Sequence, residues 1–164
     1  MIDDLRQHIN IVSNGKGPFF YNLAENVLSF KSSIGLTGNI HTEKKDDKEL
    51  FDLKAGITPY IMFARIYSIY HKITVSGTTG RFHALYEAQV IPLSTHKEIL
   101  YGYHFLMQLR YKHQVSQMEK HEDINNLLDI HELSEVEETV LKKILSQFAD
   151  LQNRLNIDFK RSIL

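Results

Sequence analysis

Apolar residues return every three to four positions over most of this chain, and that spacing predicts helices. Leu5, Ile9 and Val12 mark a first one over Asp3 to Val12, stopped by the turn signal Asn14-Gly15-Lys16-Gly17. Pro18 suits a first helical position, where a missing N–H removes no bond, and Phe19, Phe20, Leu23, Val27 and Phe30 follow it as a second helix. Pro59 suits a first turn again, with Ile61, Ala64, Tyr67 and Ile69 carrying a helix to about His71. Another is expected from Thr79 to Val90, around Phe82, Leu85 and Tyr86. Pro92 and Ser94 open a long one through Ile99, Tyr103, Leu106, Leu109 and Met118. Ser134-Glu135-Val136-Glu137 has the form of a capping box, and the stripe Val140, Ile144, Phe148, Leu151, Leu155 and Phe159 behind it predicts a helix packed along its length.

Between the second helix and Pro59 the pattern changes. Gly35 and Gly38 interrupt it, and Glu43 to Glu49 is a run of charges. The segments flanking that run, Gly38 to Thr42 and Leu50 to Lys54, can alternate, which predicts a small β-hairpin over about 36–54 with a charged tip. Long helices with short connections make antiparallel neighbours. The expected fold is therefore mainly α, a single domain over 1–164 built as an up-and-down helical bundle with a small β-hairpin insertion.

Composition narrows the function. A formal charge of −1 supplies no positive field to draw in nucleic acid non-specifically. The absence of cysteine excludes disulfides, a zinc ribbon and a thiol nucleophile. Met1-Ile2-Asp3-Asp4 is acidic where a signal peptide is basic, and the most apolar stretch, Ile57 to Ile69, contains Arg65 and is too short to span a bilayer. A cytoplasmic protein with no membrane contact is expected.

Candidate chemistry is sparse. The nine histidines include no pair three or four residues apart, the spacing that aims two ligands at one point from a helix, so no metal site is expected. Gly77-Thr78-Thr79-Gly80-Arg81 precedes a helix but lacks the lysine and spacing of a phosphate loop, so capping by Thr78 or Thr79 is the expected use. Asp52 and Lys54 would share one face of a strand. Arg65 follows on an apolar helix, while Arg110, His113 and Gln114, at i, i+3 and i+4, share a helix face. No Gly-x-Ser-x-Gly nucleophile motif occurs.

These residues also carry a resemblance. Asp52-Leu53-Lys54, Arg65, Thr79 with Arg81, Leu109-Arg110-Tyr111-Lys112-His113-Gln114, Asn126 and Leu133-Ser134-Glu135-Val136-Glu137 run in the order found in a bacterial family. That family is the nucleotidyltransferase substrate-binding domain, which follows cyclic-nucleotide-binding, CBS-pair and nucleotidyltransferase domains in signalling proteins. Phe19 to Phe30 and Gly35-Leu36-Thr37-Gly38 resemble its opening helix and glycine turn. Thr78 stands where the family has asparagine, Gly80 is an intrusion, and Phe82 stands where leucine is common.

The resemblance implies a helical bundle similar to the C-terminal domains of PII uridylyltransferases, with the catalytic carboxylates on a separate domain. No Gly-Ser followed by an Asp-x-Asp strand occurs here, so the chain is expected to be non-catalytic and to need no cofactor of its own. Magnesium and a nucleoside triphosphate would come with a catalytic domain, joined in cis or in trans. The implied substrate-binding residues are Asp52, Lys54, Arg65, Thr79, Arg81, Arg110, His113, Gln114 and Asn126, with Asp52, Lys54, Arg65, Arg110 and His113 expected in one cleft. Two rival readings remain: a small helical-bundle ribonuclease, whose Arg-x4–6-His spacing neither Arg110 with His113 nor Arg81 with His83 meets, and a purely structural dimerisation module that would make the chain a homodimer.

Overall fold

A computed structural model describes residues 17–28 and 39–159. The expected first helix, Asp3 to Val12, and the Gly35–Gly38 turn lie outside them. The fold is mainly α, with a three-stranded antiparallel sheet. In chain order the elements are α1 (Gly17–Leu28), β1 (Glu43–Lys45), β2 (Lys48–Asp52), α2 (Leu53–Tyr70), α3 (Thr78–Glu87), α4 (Leu93–Glu119), β3 (Leu127–Asp129), a 3-10 turn (Ile130–Glu132) and α5 (Glu135–Phe159). No helix among the described residues is long and apolar enough to cross a membrane.

The described residues form two compact units, 17–28 with 60–100 and 151–159, and 39–59 with 101–150. The first buries Phe20, Ala24 and Val27 of α1 and, on the later turns of α2, Tyr60, Phe63, Ala64, Ile66 and Tyr67. Phe82 and Leu85 of α3, and Leu151, Leu155 and Phe159 of α5, are buried in the same unit. Phe159 stacks on Phe20 at 5.9 Å and meets Tyr67 edge-on at 5.4 Å. Rings at such offsets contribute beyond the area they bury.

The second unit holds the sheet. β2 pairs on one side with β1, setting Lys44 opposite Glu49, and on the other with β3, setting Phe51 opposite Leu128 and Asp52 opposite Leu127. Phe51 and Leu128 are both buried, with Leu53, Ile57, Leu106, Leu109, Leu141, Ile144, Leu145 and Phe148 completing this core. Gly56 lets the Phe51 ring lie against α2, since a Cβ there would stand 2.9 Å from Phe51 Cζ.

Three boundaries differ from those the sequence predicts. The hairpin forms, but the charged run makes its strands as well as its tip, turning at Asp46-Asp47. Its strands are short and β1 is wholly exposed, so charge costs nothing there. The helix expected at Pro59 begins at Leu53, and Pro59 lies inside it. Asp52 accepts a hydrogen bond from the Lys54 amide at 2.8 Å, an N-cap, and burial of Leu53, Ile57 and Tyr60 at helical spacing outweighs the one bond proline cannot make. Before α3, neither Thr78 nor Thr79 is the cap. Gly77 holds that position with φ 80°, a conformation that favours glycine, and no side chain caps the helix. The capping box at Ser134 is present as expected: the Glu137 amide donates to Ser134 Oγ at 3.2 Å, and Ser134 N donates to Glu137 Oε2 at 2.9 Å.

Candidate functional site

The second unit gathers most of the polar residues that the sequence singles out. Asn126 immediately precedes β3, and its carbonyl accepts the Leu53 amide at 2.9 Å, extending the ladder between β2 and β3 by one bond. Its side chain faces α4: Asn126 Oδ1 accepts from Arg110 Nε at 2.8 Å and from Gln114 Nε2 at 3.3 Å. Arg110 and Gln114, one helical turn apart, thus converge on a single acceptor. The Leu53 bond also brings Asp52 and Lys54, its neighbours in the chain, to the same end of the sheet.

Arg110 is half-buried, and its Nε is its only hydrogen-bonded nitrogen among the described residues. It forms no ion pair with a described residue. The two terminal nitrogens of the guanidinium are therefore left as a planar fork whose direction is fixed from behind. A fork of that kind suits a phosphate or carboxylate oxygen pair. Lys54 is exposed on the first turn of α2, and its ammonium has no partner among the described residues. His113 sits on the same helix face as Arg110, and its Nε2 is buried without a hydrogen bond.

One expectation about this cluster needs correction. Lys54 does not share a strand face with Asp52, because the strand ends at Asp52 and Lys54 is helical. The Asp52 carboxylate accepts the Lys54 backbone amide as a helix cap. Arg65, Thr79 and Arg81 belong to the first unit. Arg65 is exposed, with Nη1 4.0 Å from the Met62 sulfur, while Thr79 and Arg81 are half-buried at the start of α3.

Two features of the first unit were not legible in residue spacing. His83 Nδ1 and His96 Nε2 meet at 3.1 Å from different helices, and His96 stacks on Tyr86 at 4.8 Å. Burial, with His83 beside it, holds the His96 imidazolium below the usual histidine range. No group of three or more metal-ligating side chains occurs among the described residues. A pocket of about 400 Å³ is lined by Tyr67, Tyr70, His71, Arg154, Asp158 and Phe159, among others. Its polar groups serve one another. Tyr67 donates to Asp158, Arg154 Nη2 donates to the Val90 carbonyl at 2.6 Å, and Arg154 Nε lies 3.7 Å from Asp158 Oδ2. Burial and the Asp158 bond push the Tyr67 phenol far above its ordinary range, so it stays neutral. That arrangement reads as a structural network.

A family model described as "Putative nucleotidyltransferase substrate binding domain" matches residues 17–159. No curated protein and no solved structure matches the chain.

Proposed function

The chain belongs to that family of nucleotidyltransferase substrate-binding domains, and we propose that its second unit supplies the non-catalytic anion-binding wall of a nucleotide or acceptor site. The observation that carries this reading is the Arg110 guanidinium, steered through Nε by Asn126 and presenting both terminal nitrogens. Gln114 fixes Asn126 from the same helix, and Lys54 adds a point charge at the same end of the sheet. Arg65, Thr79 and Arg81, in the first unit, stay candidate binding residues on the family resemblance alone.

The catalytic step belongs to a partner nucleotidyltransferase domain, in cis or in trans. On this reading this chain's part is to bind and orient, while magnesium and the transferred nucleotide are handled by the partner domain. The family's setting in signalling proteins makes that role regulatory as well, and the working compartment the cytoplasm.

Calorimetric titration of the chain with ATP, GTP, CTP, UTP and inorganic phosphate tests the reading. Saturable binding that Arg110→Ala weakens, without a change in melting temperature, supports it. Binding unaffected by that substitution removes it.

A further inference from the structure

Helix α4 carries two opposite apolar faces, of which only one is buried among the described residues. Leu106 and Leu109 are buried in the second unit's core. On the far side, Tyr101, His104, Gln108, Tyr111, Val115 and Met118 follow one another at steps of three, four, three, four and three, and all six are exposed. The four large apolar members are 58%, 58%, 52% and 59% exposed for Tyr101, Tyr111, Val115 and Met118. Isolated exposed apolar residues are ordinary, but Tyr111, Val115 and Met118 in succession, with Tyr101 on the same line beyond His104 and Gln108, mark a contact surface. Alternating steps of three and four keep the line straight only against another helix of the same period, as in a coiled coil.

We propose that this face of α4 pairs with the same face of a second copy of the chain, antiparallel, about a two-fold axis. In an antiparallel pair, residues at the first and fourth heptad positions form mixed layers. Here those layers set Tyr101 against the partner's Met118, His104 against the partner's Val115, and Gln108 against the partner's Tyr111, each occurring twice. Every layer joins a polar-tipped side chain to an aromatic or apolar one, and the Gln108 amide meets a tyrosine hydroxyl. A parallel pair would instead stack histidine on histidine and glutamine on glutamine. No carboxylate or ammonium lies on the stripe to repel its copy. Lys112 beside it is neutralised by Glu137 at 2.8 Å.

The size of the face sets the strength. From Tyr101 to Met118 the seam is about 27 Å long on a helix about 10 Å wide. It would bury on the order of 600 Å² per copy, against about 800 Å² per partner in a standard stable interface. The pair is therefore a reversible, concentration-dependent dimer. It rests on residues other than Arg110 and Asn126 and does not depend on the proposed anion site.

Sedimentation velocity over a micromolar to sub-millimolar range tests it. The expected mass rises from the 19.1 kDa monomer towards twice that value. Tyr111→Glu with Val115→Glu should weaken association at least tenfold while leaving the far-ultraviolet dichroism unchanged. Because the sequence has no cysteine, engineered thiols report orientation cleanly. A mixture of Tyr101→Cys and Met118→Cys chains should form the mixed disulfide, and Tyr101→Cys alone should not cross-link. A monomer at every concentration, the result expected if a different protein surface occupies this face, overturns the proposal. So does undiminished association of the double variant, or efficient cross-linking of Tyr101→Cys to itself.

Discussion

Arg110 and Asn126 meet through Nε and Oδ1 at 2.8 Å, so the guanidinium is gripped at its root, and its tip bonds to none of the described residues. Hydrogen bonds to a charged group contribute about 1.5–3 kcal/mol. Arg110→Ala should therefore weaken anion binding about tenfold to a hundredfold. Arg110→Lys should recover only part of the loss, because an ammonium keeps the charge without the fork. Asn126→Ala should weaken binding less than Arg110→Ala, since it frees the arginine without deleting it. Titration of the three variants with the same nucleotide gives the order. If Arg110→Ala instead lowers the urea midpoint and leaves affinity alone, the contact is structural.

A second expectation concerns the start of α5. Ser134 caps this helix through Oγ, and its own hydroxyl and amide both donate to Glu137 Oε2. Ser134→Ala should cost about 1 kcal/mol of stability, read as a lower urea midpoint at unchanged slope.

Glu137 makes the same corner sensitive to acid. The Lys112 ammonium, bonded to it at 2.8 Å, and then the Ser134 donors hold its carboxyl at about 2, against an ordinary 4.5. Its folded value lies below its unfolded one, so the stabilisation is complete above about pH 4.5 and drains away as pH falls towards 2. Glu137→Gln should be less stable than the parent at pH 7, and the gap should close by pH 2–3. Parallel urea titrations at both pH values measure the convergence.

Packing at Gly56 gives a sharper steric test. A methyl group there would fall 2.9 Å from the Phe51 ring, and Phe51 is fixed by the sheet. Gly56→Ala should destabilise the chain by about 1–3 kcal/mol despite the better helix propensity of alanine. A gain in melting temperature would mean the ring can move aside.

The chain alone should not transfer a nucleotide from ATP, GTP, CTP or UTP to an acceptor. No Gly-Ser followed by an Asp-x-Asp strand occurs in its sequence to hold magnesium at the phosphates. Metal-dependent incorporation of labelled nucleotide by the purified chain would contradict this.

Much of the fold was legible in the apolar rhythm. The α1, α3, α4 and α5 helices fall within a few residues of their expected ranges, and the capping box at Ser134 marks the start of α5. What escaped were choices made by tertiary contacts. Pro59 reads locally as a helix start, and only the Asp52 cap and the burial of Leu53 move that start upstream. β3 is three residues long, too short for an alternating pattern, and exists because β2 offers it an edge. In the candidate site, spacing along α4 placed Arg110 beside His113 and Gln114. It could not show that Asn126 is the acceptor they surround, or that His113 is left out of that bond. Met118, expected among the packed positions of the long helix, points outward, because α4 is apolar on two sides and sequence alone does not say which faces the core.

The bond from the Leu53 amide to the Asn126 carbonyl has a kinetic meaning. β1 and β2 can close as a local hairpin at little entropic cost, whereas β3 reaches β2 only after all of α2, α3 and α4 have been threaded between them. Until that late closure Asn126 has no fixed position and Arg110 has nothing to steer it, so a half-folded chain has no anion receptor. A bound anion would then select the closed sheet from the open one, stabilising it by mass action. Slowed deuterium uptake at the Leu53 amide, which bonds across the sheet to Asn126, would be its signature.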